Sequence, residues 1–245
     1  MLNNNFNQVF GYKPIIGMIH LAGNDPIKRG LEELEIYNAE GVDAAIIENY
    51  HNTNPECVES MLKALQDQNF SLKLGINILP NEFEKSLDMA EKYNADFIQL
   101  DHVAGRYFDG RIELDFDSYS HFKSKHPDKA VLGGVWPKYY PPAKKSFLED
   151  DLRVGIERAE AIVVTGEGTG KSTPLDKIKL FREIIGKHPL IVGAGMTPEN
   201  ASKQLSIADG AIVGTYFKSY DNTENPVNRE RVRTLMDIVK KIREN

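Results

Sequence analysis

The sequence predicts an α/β protein, a single closed (β/α)8 barrel of the TIM type, on three observations. Eight short apolar runs are each followed by a stretch in which apolar residues recur at helical spacing. The runs are apolar at consecutive positions, as in parallel strands that are buried on both faces. The length of 245 residues fits the roughly 250 residues of one such barrel. A doubly wound open sheet fits less well, because no GxGxxG turn follows the first run.

The predicted strands follow one another along the whole chain. In order they are Ile15–His20, Ala44–Glu48, Leu74–Ile78, Phe97–Asp101, Ala130–Val135, Ala161–Val164, Leu190–Val192 and Gly210–Val213. Helices between buried strands imply parallel connections. Four helices are expected to begin at a polar cap followed by proline, at Asn54-Pro55, Thr173-Pro174, Thr197-Pro198 and Asn225-Pro226.

Two helical stretches have clear apolar faces. In Asn81–Tyr93 the apolar residues share one side, and Asn81 with Glu84 resembles a capping box. The last helix, from Asn228 to about Glu244, places four apolar residues on one face and is expected to close the ring, namely Val232, Leu235, Val239 and Ile242.

Composition limits the function classes. We expect one domain over residues 1–245, with residues 1–12 disordered or forming an N-terminal extension. The formal net charge of −6 argues against a nucleic-acid or anionic-membrane binder and favours a small-molecule ligand. The chain has no apolar run long enough for a membrane span and no secretory signal pattern, so we expect a cytoplasmic protein. Its single cysteine, Cys57, cannot form an intramolecular disulfide, and a homo-oligomer is expected from base rates alone.

Polar residues at the carboxyl ends of the predicted strands are the catalytic candidates, because active sites of such barrels lie at that face. The candidates are His20, Glu48, Asn49, Asn77, Asp101 and His102. For any single one of them, capping a loop is an equally good explanation. A set of carboxylates and histidines converging from different strands instead indicates a proton-transfer site.

Glycines after the seventh and eighth predicted strands indicate a phosphate site. The candidates are Gly193, Ala194, Gly195, Gly214 and Thr215. Glycine allows the backbone to approach an anion, and helix starts supply N–H donors. The alternative is that these glycines only permit tight turns. Lys218 is a candidate for additional positive charge, or else a solvated lysine.

The segment Thr165–Ser172 is similar to a nucleotide-binding P-loop, but Thr165 stands where that motif requires its first glycine. It also follows the sixth strand of a barrel, which argues against an NTPase. The segment is then either a flexible glycine-rich loop that contacts the ligand, with Thr165 and Gly166 as phosphate-binding candidates, or a plain surface loop.

Two other loops at this face are long, His102–Leu114 and Trp136–Ser146. The aromatic run Trp136–Pro142 is either a lid over a ligand or an interface with a partner. Lys138 lies too far past its strand to predict Schiff-base chemistry from the sequence.

Taken together, these segments resemble the BtpA/SgcQ family over nearly the whole chain. The resemblance rests on Pro14–Leu21, Gly41–Asn49, Leu74–Leu79, Val192–Asn200 and Ala208–Thr215. It implies a (β/α) barrel and carries His20, Glu48, Asn49, Asn77 and both glycine loops onto family motif positions. Members of the family are tied to photosystem assembly and to sugar-utilisation gene clusters, so the resemblance implies a shared fold rather than one reaction. This chain departs from the family pattern at Gln99–His102 and around Trp136–Pro142.

We therefore expect an enzyme that acts on a phosphorylated sugar or phosphoribosyl compound by isomerase- or epimerase-like acid–base chemistry. Glu48 or Asp101 would be the base and His20 or His102 the acid, while Asn49 and Asn77 would orient hydroxyls. This chemistry requires no cofactor. A divalent metal held by His20, Glu48 and Asp101 is a variant of the hypothesis. The alternative function is a non-catalytic barrel that binds a phosphometabolite or stabilises a protein assembly.

Overall fold

The computed structural model describes residues 6–50 and 54–244. Its strands are β1 (Ile15–His20), β2 (Ala44–Glu48), β3 (Lys73–Asn77), β4 (Phe97–Leu100), β5 (Arg106–Tyr107), β6 (Ile112–Glu113), β7 (Ala130–Gly134), β8 (Ala161–Val164), β9 (Leu190–Val192) and β10 (Gly210–Val213). Eight of them form a closed parallel barrel in the order β1-β2-β3-β4-β7-β8-β9-β10, while β5 and β6 pair separately as an antiparallel hairpin. The predicted (β/α)8 barrel is confirmed.

The helices are α1 (Phe6–Val9), α2 (Pro26–Glu40), α3 (Pro55–Leu65), α4 (Phe83–Lys92), α5 (Phe116–Lys125), α6 (Leu148–Arg158), α7 (Leu175–Ile185), α8 (Pro198–Leu205) and α9 (Arg229–Glu244). Two of the predicted proline starts are confirmed. The Asn54 side chain accepts from the Cys57 N–H at 3.2 Å at the start of α3, and Thr197 forms a capping box with Asn200 at the start of α8. In α9 the predicted apolar face is buried against the barrel.

Three predicted helix starts are wrong. The first turn of α4 lacks the predicted capping box, because the Asn81 side chain instead pairs with both backbone groups of His102. Thr173 does not cap α7, since its hydroxyl donates to the Ala194 carbonyl and Pro174 takes the cap position. At Asn225-Pro226 no helix begins, and Asn228 caps α9 instead. In each case a tertiary contact or a nearby second cap competes with the local pattern.

Strand register brings the candidate residues of the first three strands side by side. Across the β1–β2 ladder His20 pairs with Glu48, and across the β2–β3 ladder Glu48 pairs with Asn77. All three lie at the carboxyl ends of their strands. Parallel pairing without offset therefore places their side chains at one edge of the barrel mouth.

The opposite end of the barrel is filled by aromatic side chains. Phe6 and Phe10 are buried there, and the Phe10 ring lies 4.9 Å from that of Phe97. The prediction for residues 1–12 falls partly on residues 1–5, which lie outside the described residues. Within the two described ranges, no helix is both long and apolar enough to cross a membrane.

Candidate functional site

A cavity opens at the carboxyl ends of the barrel strands, and its space together with open solvent at the mouth is about 930 Å³. In the barrel order, β2, β3 and β4 lie diametrically opposite β8, β9 and β10. Acidic residues line the first side and glycine loops line the second, with contributions from Glu48, Asp101, Gly193, Gly195, Gly214 and Thr215.

Glu48 is the central group of the acidic side. It is 6% exposed, accepts a hydrogen bond from the Asn77 Nδ2 at 2.7 Å and lies 3.8 Å from the Nε2 of His20. Burial and the nearby charge of Asp101 raise its pKa to about 7, against smaller opposing effects of Lys138 and Asn77. Glu48 is therefore close to half-ionised at neutral pH, the condition in which a carboxyl group serves best as a proton acceptor and donor.

Asp101 follows β4 and completes the acidic pair. Its Oδ2 accepts a hydrogen bond from the Tyr140 hydroxyl at 2.9 Å. Burial raises the pKa of Asp101, while Tyr140 and the positive charge of Lys138 act in the opposite direction. Two neighbouring carboxyl groups with different surroundings can divide acid and base roles between them.

Two predicted catalytic residues are placed elsewhere. Asn49 uses its side-chain Oδ1 to accept from the Leu79 N–H at 2.8 Å, so it holds the loop after β3. The ring of His102 packs between Tyr107 and Tyr140 rather than lining the cavity. Burial lowers the pKa of His102 to about 4, which leaves it neutral at pH 7. The structure thus brings His20, Glu48, Asn77 and Asp101 together without these two.

The glycine loops line the other side with backbone groups. The Gly193 N–H donates to the Val164 carbonyl at 2.8 Å. Among the described residues, in contrast, the N–H groups of Gly195, Gly214 and Thr215 donate to no protein acceptor. Thr215 begins a short 3-10 helix. Backbone N–H groups in neighbouring loops that donate to no backbone carbonyl can donate to an anion.

Gly195 cannot be replaced without strain. Its φ of +67° lies in the left-handed region, and a Cβ built there would lie 2.3 Å from the carbonyl carbon of Lys171. The Asn200 side chain donates to the Gly195 carbonyl at 2.8 Å. Close packing of two loops therefore requires glycine here.

The loop after β8 contributes to the cavity mainly through its middle. Thr165 and, further along, Thr169 and Gly170 line the cavity. Gly166 does not, because it packs against the backbone of Ser172. The hydroxyl of Thr165 accepts a hydrogen bond from the Lys138 N–H at 2.8 Å.

The aromatic run Trp136–Pro142 forms part of the cavity wall. Tyr139 accepts a hydrogen bond from the Thr169 N–H at 2.9 Å, and Tyr140 donates to Asp101. Trp136 points away from the cavity and donates from Nε1 to Asp151 at 2.8 Å. The loop covers one side of the cavity in this structure, as a lid would, while its role as an interface stays untested.

Lys138 is a cavity residue that the sequence reasoning set aside. Its Nζ donates to the Thr169 hydroxyl at 3.0 Å, and its charge lowers the pKa values of Glu48 and Asp101. Trp136 and Tyr139 have φ values of +48° and +69°, so the chain turns back and carries Lys138 into the barrel mouth. Strand spacing does not reveal such a turn. The unusual aromatic composition of the loop was the available signal.

Lys218, in contrast, adds no charge to the phosphate region. It is fully buried, and its Nζ lies 2.6 Å from Glu33. Neither a contribution of Lys218 to the phosphate site nor a solvated Lys218 is found, because its ammonium group forms a buried ion pair with Glu33 of α2.

The described side chains do not assemble a metal centre. No group of three or more His, Cys, Asp or Glu residues within 6–50 and 54–244 is arranged to hold a metal ion. His20, Glu48 and Asp101 are therefore not gathered into the ligand set considered from the sequence.

Comparisons with known proteins agree with this architecture. Residues 11–241 match the model of the BtpA family. An uncharacterized protein of Thermococcus kodakarensis is 30% identical over 262 residues, which cover 96% of this chain and 98% of that protein. The photosystem I biogenesis protein BtpA of Synechocystis is 26% identical, with 92% of this chain and 88% of that protein covered. Phosphoribosyl anthranilate isomerase from Thermus thermophilus has a similar structure, with a TM-score of 0.62 and 14% identity over 94% of this chain and 99% of that chain.

Proposed function

The chain belongs to the BtpA family, and from its cavity we propose that it is an enzyme that moves protons on a phosphorylated sugar or phosphoribosyl compound. The observation that carries the proposal is the arrangement of the cavity. A carboxyl pair with Glu48 at a pKa of about 7 faces glycine loops whose N–H groups are free to bind an anion. These are the two parts that isomerisation or epimerisation of a phosphosugar requires, a proton carrier and a phosphate anchor.

Each group then has a role. The phosphate is bound by the N–H groups of Gly195, Gly214 and Thr215. Glu48 removes a proton from the carbon beside a carbonyl group, and Asn77 holds the Glu48 carboxylate in place through its hydrogen bond of 2.7 Å. Asp101 or His20 exchanges protons with the substrate oxygens. The reaction needs no organic cofactor in this scheme.

The similarity to phosphoribosyl anthranilate isomerase is one of fold alone, because the two chains are only 14% identical. It is consistent with the proposal to the extent that this isomerase has the same barrel fold. The alternative, a barrel that binds a phosphometabolite without turnover or stabilises a protein assembly, draws on the name of the cyanobacterial relative. It predicts a cavity that binds phosphate and does not need Glu48.

A thermal-unfolding screen with inorganic phosphate, sugar phosphates and phosphoribosyl compounds, with and without divalent metals, tests the proposal. A ligand at a hundred times its Kd should stabilise the wild type by about 2.7 kcal/mol. We expect Gly195→Ala to abolish this stabilisation and Glu48→Gln to preserve it while abolishing turnover.

Gly41→Ala is the matched control, because Gly41 also has a positive φ, +76°, but a Cβ there meets nothing within 4 Å. It should bind ligands like the wild type. If no phosphorylated compound stabilises the wild type, the proposal is wrong and a role in assembly is favoured. If one binds and Glu48→Gln turns it over normally, the acid–base part is wrong.

Size-exclusion chromatography of the same sample tests the expected homo-oligomer.

A further inference from the structure

Lys138 differs from the other lysines that the fold buries or half-buries. The ammonium groups of Lys123 and Lys218 lie 3.2 Å and 2.6 Å from carboxylates, and that of Lys177 donates to two backbone carbonyls. Lys138 has no carboxylate within 4.0 Å among the described residues, and its Nζ donates only to the neutral hydroxyl of Thr169. An ammonium group carries three donors, so two remain for a ligand.

The position of this ammonium group is favourable for one step of the proposed reaction. Lys138 lines the same cavity as Glu48 and Asp101, and its charge acts on both carboxyl groups. Its backbone is fixed by the hydrogen bond to Thr165 at 2.8 Å. The described lining of the cavity contains no other lysine or arginine, so Lys138 is the permanently charged cation of that lining that can stabilise a negative charge developing on a substrate near Glu48.

We propose that Lys138 is a catalytic residue that donates a hydrogen bond to the substrate oxygen that becomes an oxyanion when Glu48 removes the neighbouring proton. This rests on the proposed function and deepens it by assigning a substrate with a carbonyl group beside the reacting carbon. In the step, the proton passes from carbon to the Glu48 carboxylate. The C–H electron pair forms a C=C bond, and the carbonyl π pair moves onto the oxygen. Lys138 then donates a hydrogen bond to this negatively charged oxygen. Return of the proton to carbon reverses these changes, so nothing is oxidised or reduced overall.

Two phosphorylated probes separate binding of a ground-state analogue from binding of an analogue of the enediolate. Ribitol 5-phosphate has the phosphate and hydroxyls but no planar centre, whereas 4-phospho-D-erythronohydroxamate mimics the planar, negatively charged enediolate. Calorimetry should give a tighter Kd for the hydroxamate in the wild type. In Lys138→Met we expect its affinity to fall by about a hundredfold, the usual loss for one oxyanion donor, while the affinity for ribitol 5-phosphate stays close to that of wild type.

Two variants complete the test. Lys138→Arg keeps the charge and should retain more of the hydroxamate preference than Lys138→Met. Lys179→Met removes an exposed lysine of α7 and should behave as wild type. Unfolding curves establish that each variant is folded.

The outcomes distinguish the two proposals. If Lys138→Met keeps the hydroxamate preference, or weakens both ligands equally, the role of Lys138 is wrong while the phosphosugar function stands. If the wild type binds neither probe, and no compound in the thermal screen, the proposed function fails and this inference fails with it.

Discussion

At one end of the barrel the ring of Phe10 packs on those of Phe6 and Phe97, with centroids about 5 Å apart, whereas the other end contains carboxyl groups, a lysine and backbone N–H groups around an open cavity. Both ends belong to the same closed sheet and contribute differently to the free energy of folding. Buried apolar rings stabilise the folded state by roughly 25 cal/mol per Å² removed from water. A buried carboxyl group at the mouth destabilises it. The molecule therefore has stabilising apolar contacts at one end and retains carboxyl groups that are costly to bury at the other.

The largest expected effect is on the apolar end. Phe10→Ala should lower the free energy of unfolding by about 3–5 kcal/mol, because it leaves a cavity where a 3% exposed ring was packed. Urea unfolding measures it. Tyr12→Ala, at a 67% exposed position, is the control and should change little. Equal losses of unfolding free energy in the two variants would contradict the packing of Phe10 at this end of the barrel. A change in ligand affinity caused by Phe10→Ala would contradict the separation of this end from the cavity.

The next effect is a pH dependence of the free energy of unfolding that comes from Glu48 at the barrel mouth. The folded protein raises the pKa of Glu48 from 4.5 to about 7, so the folded state binds more protons than the unfolded state between these values. The contribution of Glu48 to stability is therefore greatest below pH 4.5 and is lost as the pH rises through 7, a change of about 3 kcal/mol. The difference between wild type and Glu48→Gln in urea unfolding at pH 4.5 and pH 8 measures it.

Glu59 provides a control of opposite sign. Hydrogen bonds from Lys92 and Tyr93 lower the pKa of this partly exposed carboxyl group to about 2, so Glu59→Gln should lose stability relative to wild type at higher pH. A difference between wild type and Glu48→Gln that does not change with pH would mean that the Glu48 carboxyl group is not buried as described.

A smaller effect concerns backbone strain at the mouth. Gly195→Ala and Gly41→Ala both place a methyl group at a left-handed position, which costs about 1–2 kcal/mol. Gly195→Ala should lose about 2 kcal/mol more, because its Cβ overlaps the backbone of Lys171. Thermal unfolding of the two variants gives the difference. Equal stabilities would show that the two loops separate easily at Gly195.

The smallest effect tests the contact between the aromatic run and the acidic pair. Tyr140→Phe removes the hydrogen bond of 2.9 Å to Asp101 and should cost about 1 kcal/mol. It should also raise the pKa of Asp101 further, since Tyr140 lowers it. Chemical denaturation and a pH titration of Asp101 by NMR measure the two changes. Tyr220→Phe, at a position 90% exposed, should change neither, and an unchanged Asp101 pKa in Tyr140→Phe would argue against the contact.

Much of the barrel mouth could be predicted from the chain alone. Consecutive apolar residues ending in His20, Glu48 and Asn77 specify both the strands and the face at which these groups meet, because parallel strands in register bring their carboxyl ends together. The same argument placed Asp101 and the glycine loops. Strand position could not show that Asn49 and His102 lie outside the cavity lining, because a shift of one residue along the chain changes the direction of a side chain. Asn49 instead contacts the loop after β3, and His102 contacts Tyr107 and Tyr140.

The amino-acid order alone predicts the eight barrel strands, their parallel connection and the face that carries the candidate residues, because hydrophobic periodicity is a local property. The pKa of Glu48, the burial of Lys218 against Glu33 and the presence of Lys138 in the cavity follow instead from the folded arrangement. Each of these depends on groups that are far apart in the chain, and the position of Lys138 also depends on the positive φ values of Trp136 and Tyr139 in its loop. Electrostatics and burial are properties of that assembled neighbourhood, and no local pattern contains them.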